Sequence, residues 1–263
     1  MKFSLHRHVL QPGFGTFQDL LVLLSLTPNW NRFQMATLQL PLENPLLIPI
    51  VMNKTLTSIL FFLSSLACPA EKDSGFTSLF NGKDLSGWQG MGGPTSNWMA
   101  KEGVLSCTGK SGSQWIATKE EFSDFELRLE FKIPVNGNSG VFIRAPRKGA
   151  PWVAGMEIQV LDDYGPKWKS LKPAQFTGAI YAVCAPSVRA SKKAGEWQSM
   201  RIRCQGSTCE VWLNDKPIVK ADLEKLAEKS PRVGGLKRAS GFIGLQNHSS
   251  PVHYRNLMIK RLK

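Results

Sequence analysis

From Phe76 onward the chain is a succession of short segments in which apolar and polar residues take turns. The clearest is FELRLEFKIPV, where Phe125, Leu127, Leu129, Phe131 and Ile133 fall on one side of an extended chain and Glu126, Arg128, Glu130 and Lys132 on the other. Successive side chains of a strand point to opposite faces, so this period of two predicts a strand with one face in a core and one in water. SGVFIRA, MEIQVLD, GAIYAV, QSMRIRC, CEVWLND, GFIGLQNH and VHYRNLMIKRL read as further strands, with turn signals NGNSG, DDYGP, GST and NDKP between them. Helical periodicity is clear only in ADLEKLAEK, Ala221 to Lys229. Many strands and one short helix predict an all-β fold, a two-sheet antiparallel jelly-roll sandwich, as a single domain over residues 75–263.

The residues before it follow no such pattern. Residues 1–51 hold short apolar runs, LLVLLSL and NPLLIPIV, broken by Pro28, Pro41, Pro45 and Pro49. None reaches the roughly 18 to 20 apolar residues of a membrane span. MNKTLTSILFFLSSLACPAEK then offers a start methionine, a basic Lys54, an apolar stretch from Ile59 to Leu66, small residues and a charged exit. That is the order of a secretory signal peptide, here over residues 52–70, and it predicts an exported protein, periplasmic, secreted or cell-surface. Such a segment belongs at an N-terminus, so residues 1–51 are expected to precede the true start at Met52; the alternative is a natural, disordered extension. Two processing routes fit: plain cleavage after Ala67 or Ala70, or lipidation of Cys68, the one expected link to a membrane. Ser65 stands where a lipoprotein signal prefers leucine.

Export changes how the cysteines read, because disulfides persist in oxidising compartments. In RCQGSTCEVW, Cys204 and Cys209 flank a four-residue turn between two strands. Directly opposed hairpin residues have close Cβ atoms, so a bridge fits, as do two independent thiols. No Cys/His spacing suggests structural zinc. Scattered Glu, Asp and His leave a divalent cation open without a spaced ligand motif that calls for one.

The chain carries 33 Lys and Arg against 20 Asp and Glu, a formal charge of +13. Basic residues are scattered, as in KKAGEW and KWKSLK, with no arginine-rich run or nucleic-acid motif, so nucleic acid is not an expected partner.

The candidate chemistry starts at GMEIQVLDD. Period two puts Glu157, Gln159 and Leu161 on one face and Ile158, Val160 and Asp162 on the other. Ordinary glycosidases need two carboxylates flanking the scissile bond, and this strand aligns a carboxylate with an amide instead. Glu157 thus reads as a base with a hydroxyl-holding partner, Gln159, or as a solvated strand residue. Asp162 either binds a ligand or caps the DDYG turn. Arg144 shares a face with Phe142 and Gly140 by the same parity, which suits ligand binding or anion stabilisation through its fork of donors, or a surface ion pair. In GFIGLQNH, Phe242, Gly244, Gln246 and His248 share a face, and Gly244 leaves room for a ligand or a neighbouring backbone. His248 suits base, acid or metal-ligand duty, as histidine does, or is a loop histidine held by hydrogen bonds. Tyr181, with Lys172 upstream, reads as a ligand contact or a core tyrosine. Trp88, Trp98 and Trp115 are stacking platforms or packing, and Trp197 and Trp212 read as core.

Taken as an ordered set, FTSLFNGKDLSGW, FELRLEFKI, NSGVFIR, MEIQVLD, TGAIYAV, GEWQSMRIRC, VWLND and GFIGLQNHSSPVHYRNLMIKRL resemble the 3-keto-disaccharide hydrolase family over roughly Gly75 to Lys263. The resemblance implies a concanavalin A-like jelly roll, export, a carbohydrate ligand, and cleavage of glycosides whose sugar is oxidised at C3. A ketone at C3 acidifies the hydrogen at C2. Such chemistry needs a base at C2, a donor for the enolate and an acid for the leaving oxygen. On this reading Glu157, His248 and Arg144 are catalytic, and Gln159, Asp162, Tyr181, Lys172 and Gln246 bind substrate. Family members often carry an acidic residue and then glycine around this histidine, where this chain has Asn247 and Ser249. The competing reading is a non-catalytic sugar-binding module of the same fold. Convergence of Arg144, Glu157, Gln159 and His248 in one pocket is the expected mark of an enzyme.

Overall fold

Two antiparallel sheets face each other in a computed structural model that describes residues 75–110 and 115–263. The expected extension over 1–51, the signal segment and Cys68 lie outside the described residues. The large sheet runs in the order β11 (Lys216–Asp222), β10 (Thr208–Leu213), β9 (Gln198–Gln205), β6 (Phe125–Lys132), β13 (Val252–Arg261), β4 (Val104–Cys107) and β3 (Trp98–Lys101), with β1 (Thr77–Ser78) also paired to β13. The small sheet runs β2 (Trp88–Met91), β5 (Trp115–Phe122), β12 (Gly241–Gln246), β7 (Asn138–Ala145) and β8 (Met156–Leu161). This is the antiparallel jelly-roll sandwich that the alternating pattern predicts.

The core lies between the sheets. Phe125, Leu127, Leu129 and Phe131 of β6 meet Val141 and Ile143 of β7, Ile158 and Val160 of β8, and Ile243 and Leu245 of β12. One polar link crosses it: the Tyr254 hydroxyl on β13 donates to Ser139 Oγ on β7 at 2.8 Å, and Ser139 donates in turn to the Gln246 carbonyl at 2.7 Å. The expected helix forms as α2 (Leu223–Lys229), with the Asp222 carboxylate accepting the N–H groups of Glu224 and Lys225. That cap satisfies two of the donors a helix start leaves open. A second, single-turn helix, α1 (Pro151–Ala154), joins β7 to β8.

Several expectations need correction. GAIYAV is not a regular strand. Gly178 and Ala182 adopt φ of +84° and +59°, which breaks extension on both sides, and only isolated bridges form at Ile180. Even so, the segment covers the edge of β8: Gln159 N–H donates to Ala179 O, and Tyr181 N–H to Glu157 O. The β9–β10 hairpin turns on two residues rather than four, since Gln205 and Thr208 still pair. Its register sets Cys204 directly opposite Cys209, with the two sulfurs 3.5 Å apart as buried thiols. Trp197 and Trp212 are not core. They lie half-buried on the large sheet's outer face, Trp212 under the Arg201 guanidinium at 3.7 Å and Trp197 under Arg255 at 4.1 Å.

Candidate active site

The outer face of the small sheet is where parity places Glu157 and Gln159, and it is covered rather than wet. All six residues of β8 are buried. Toward β2 and β5 this face is apolar: Met91, Trp115, Ala117, Phe142, Ala145 and Phe242 form a cluster of their own. Toward β8 it opens into a polar cavity of about 250 Å³. Glu157, Gln159 and Tyr181 line one side of it, Gln246 and His248 another, and Asn138 and Trp152 complete it.

Glu157 is 4% exposed. Its carboxylate lies over Gly140 on the neighbouring strand, where a Cβ would come within 2.2 Å of Oε1. The missing side chain of Gly140 therefore makes the space that the carboxylate occupies. Burial disfavours the charged form and pushes the Glu157 carboxyl up to about 8, against a smaller opposing pull from the Gln246 side chain. Gln159 accepts the Val160 N–H on its own Oε1 at 3.0 Å, so its amide N–H₂ is the end left for a ligand. Tyr181 accepts from Gln175 Nε2 at 3.4 Å. His248 is exposed at the rim.

Three predicted site residues are elsewhere. Arg144 is 2% exposed but turned away from the cavity. Phe242 pairs with Ala145 and Gly244 with Phe142, so Ile143 and Arg144 together oppose the single residue Ile243. This bulge, with Arg144 at φ +47°, inverts the parity beyond it. The guanidinium then donates to the carbonyls of Ser123, Gly206 and Arg238 and pairs with Asp124 at 3.1 Å. Arg144 ties β7 to the β5–β6 and β9–β10 turns and to the segment before β12, and is not at hand for an enolate. Asp162 caps its turn, accepting the N–H groups of Asn136 and Tyr164 at 2.8 and 3.3 Å. Lys172 is exposed and bonds through its backbone to Gln175. Gly244 makes room for the Trp115 ring, 2.4 Å from where its Cβ would stand, and for the neighbouring Ile116 carbonyl at 3.1 Å. Trp88, Trp98 and Trp115 are all buried.

Two cavity residues escaped the sequence reading. Asn138 looked like a turn residue and opens β7. Trp152 is 41% exposed on α1; its signal was a tryptophan standing outside every alternating segment. Among the described residues, no three His, Cys, Asp or Glu side chains assemble into a metal site.

The fold is an antiparallel jelly roll with a polar cavity around one buried carboxyl, a candidate small-molecule site, on the outer face of its smaller sheet. Residues 75–260 match the family described as the 3-keto-alpha-glucoside-1,2-lyase-like domain, and the chain belongs to it. It is 27% identical over 241 residues to a 3-keto-disaccharide hydrolase of Bacteroides thetaiotaomicron, covering 76% of this chain and 82% of that one. Among solved structures it resembles two candidate glycosyl hydrolases from Parabacteroides distasonis. One has TM-score 0.65 and 29% identity, covering 72% of this chain and 95% of the other. The second has TM-score 0.62 and 32% identity, covering 71% and 99%.

Proposed function

We propose that this chain is an exported carbohydrate-acting enzyme that cleaves glycosides of 3-keto sugars by elimination and hydration. The family and the names of its relatives supply the substrate class. One observation carries the chemistry: a single buried carboxyl, Glu157, in a polar cavity with no second carboxylate among its lining residues. A retaining or inverting dyad is thereby disfavoured, and a lone base is what enolisation requires.

Glu157 takes the proton from C2, and the electron pair of that C–H bond moves into the enolate of the C3 ketone. The enolate re-forms its carbonyl as C1=C2 forms and the C1–O bond breaks, with a proton delivered to the leaving oxygen. Water then adds at C1 of the enone and a proton returns to C2, for a net hydrolysis. With Arg144 committed to the sandwich end, the donors on the cavity for the enolate and the leaving oxygen are His248, Tyr181 and the Gln159 amide. A base whose pKa lies near the working pH combines availability with strength, and burial moves Glu157 that way.

Release of aglycone from a synthetic 3-keto-glucoside tests this. With Glu157 as base, kcat/KM rises with pH and levels off above about 8. A profile that falls over the same range assigns Glu157 to acid duty instead. Sugar binding without turnover of any 3-keto-glycoside marks a binding module.

A further inference from the structure

Two residues that line the cavity carry buried acceptors without a protein partner, Gln246 Oε1 and Asn138 Oδ1. Native structures pair nearly all buried polar groups, so an orphan at a candidate site is a place for a water or a ligand donor. Acceptors facing no donor call for a ligand rich in hydroxyls. The cavity's size narrows this further. At about 30 Å³ for a water, about 250 Å³ is the space of some eight waters, room for one pyranose ring.

The Gln246 amide supplies the register. Its side chain and Glu157 line the same cavity, and the amide is near enough to the carboxyl to oppose its upward shift, with Oε1 as its orphan end. A ligand hydroxyl received by Oε1 therefore sits beside the carboxylate. On a sugar carbon, the C–H and O–H of one centre are such neighbours.

We propose that Gln246 Oε1 accepts the hydroxyl of the carbon that Glu157 deprotonates, the 2-hydroxyl of the keto sugar, while Asn138 Oδ1 accepts a second ring hydroxyl and Trp152 offers its exposed face to the ring. These three residues select a single pyranose ring and aim its C2–H at the carboxylate. The leaving group lies outside the cavity. This assignment rests on the reaction at C2 proposed above, and it makes the 2-hydroxyl a requirement of that reaction.

The test is a substrate-by-variant cycle on the purified full chain. Its substrates are 4-nitrophenyl 3-keto-glucosides of both anomers and their 2-, 4- and 6-deoxy analogues. Loss of a hydrogen bond to a buried acceptor costs about ten- to a hundred-fold. The 2-deoxy substrate is expected to lose that much kcat/KM with the wild type and under about threefold with Gln246→Met. Asn138→Leu should abolish the penalty at the 4- or the 6-position in the same way, and Trp152→Ala should raise KM, with Trp152→Phe restoring most of it. A 2-deoxy penalty that is the same in wild type and Gln246→Met overturns the assignment. If either variant is too weak to assay, calorimetric titration of Glu157→Gln with the same deoxy series reads the pattern as affinities. Absence of turnover with every 3-keto-glycoside overturns the reaction itself. The acceptor roles are then read from binding of methyl glucosides and their deoxy analogues: position-selective penalties lost in Gln246→Met and Asn138→Leu sustain the roles, and no binding overturns them.

Discussion

The two sheets of this sandwich share one core and turn opposite kinds of face outward. On the large sheet the outer residues are half-exposed and charged: Arg255 pairs with Glu130 at 2.6 Å, Arg128 with Glu126 at 2.8 Å, and Arg201 lies over Trp212. Each of these charges has a partner and stays partly exposed. On the small sheet the outer residues of β8 are buried, and the carboxylate among them, Glu157, has the amide of Gln246 beside it. A charge costs little on the first face and much on the second. A structural role tolerates the first arrangement, whereas the second keeps a destabilising group where a reaction would use it.

The largest expected effect breaks the comparison in activity. Glu157→Gln should lower kcat on a 3-keto-glucoside by about a thousandfold, within the range of a lost general base, while Glu130→Gln on the large sheet changes it by less than about twofold. Arg144→Met should destabilise the domain by about 3 kcal/mol in urea unfolding, because Asp124 and three carbonyls lose their partner.

The next effect is in stability, and its sign is opposite to that in activity. The Glu157 carboxyl ionises near 4.5 in the unfolded chain and near 8 in the fold. Below about 4.5 both states hold the proton and this group costs nothing. As pH rises toward 8 the unfolded chain ionises first, so the folded protein loses stability over that window. Glu157→Gln should therefore be more stable than the wild type at pH 8, by about 2–4 kcal/mol, and equal to it near pH 4; thermal melts at the two pH values check this.

Gly140→Ala sharpens the contrast further. Its Cβ would meet the end of the Glu157 side chain, which can move. The fold should survive, with kcat/KM down about tenfold from a displaced base. Smallest of all, Arg201→Ala on the large sheet should change stability by under about 1 kcal/mol, as exposed ion pairs do.

The same contrast explains what could be read in advance. FELRLEFK is legible because one face is dry and the other wet, and β6 alternates buried and half-buried along its whole length. MEIQVL is buried throughout, so its polar residues were the only sign of a second face, and counting by twos set Glu157 beside Gln159. Both line the cavity. The same count misplaced Arg144, because a bulge two residues past Phe142 adds one residue to β7 and nothing in VFIRA announces it. Trp152 was missed because a one-turn helix is too short to show a period.

The sequence alone determined the sandwich, the hairpin that sets Cys204 against Cys209, and the parity of Glu157 with Gln159. Those follow from near-neighbour geometry along single strands. Tertiary structure decided the rest: that the small sheet's outer face is covered, that Gly140 yields its space to a carboxylate, that Arg144 serves the sandwich end, and that Asn138, Gln246 and Trp152 meet around one cavity. Burial, bulges and convergence depend on what packs against a strand from elsewhere in the chain, and no periodicity within the strand encodes that.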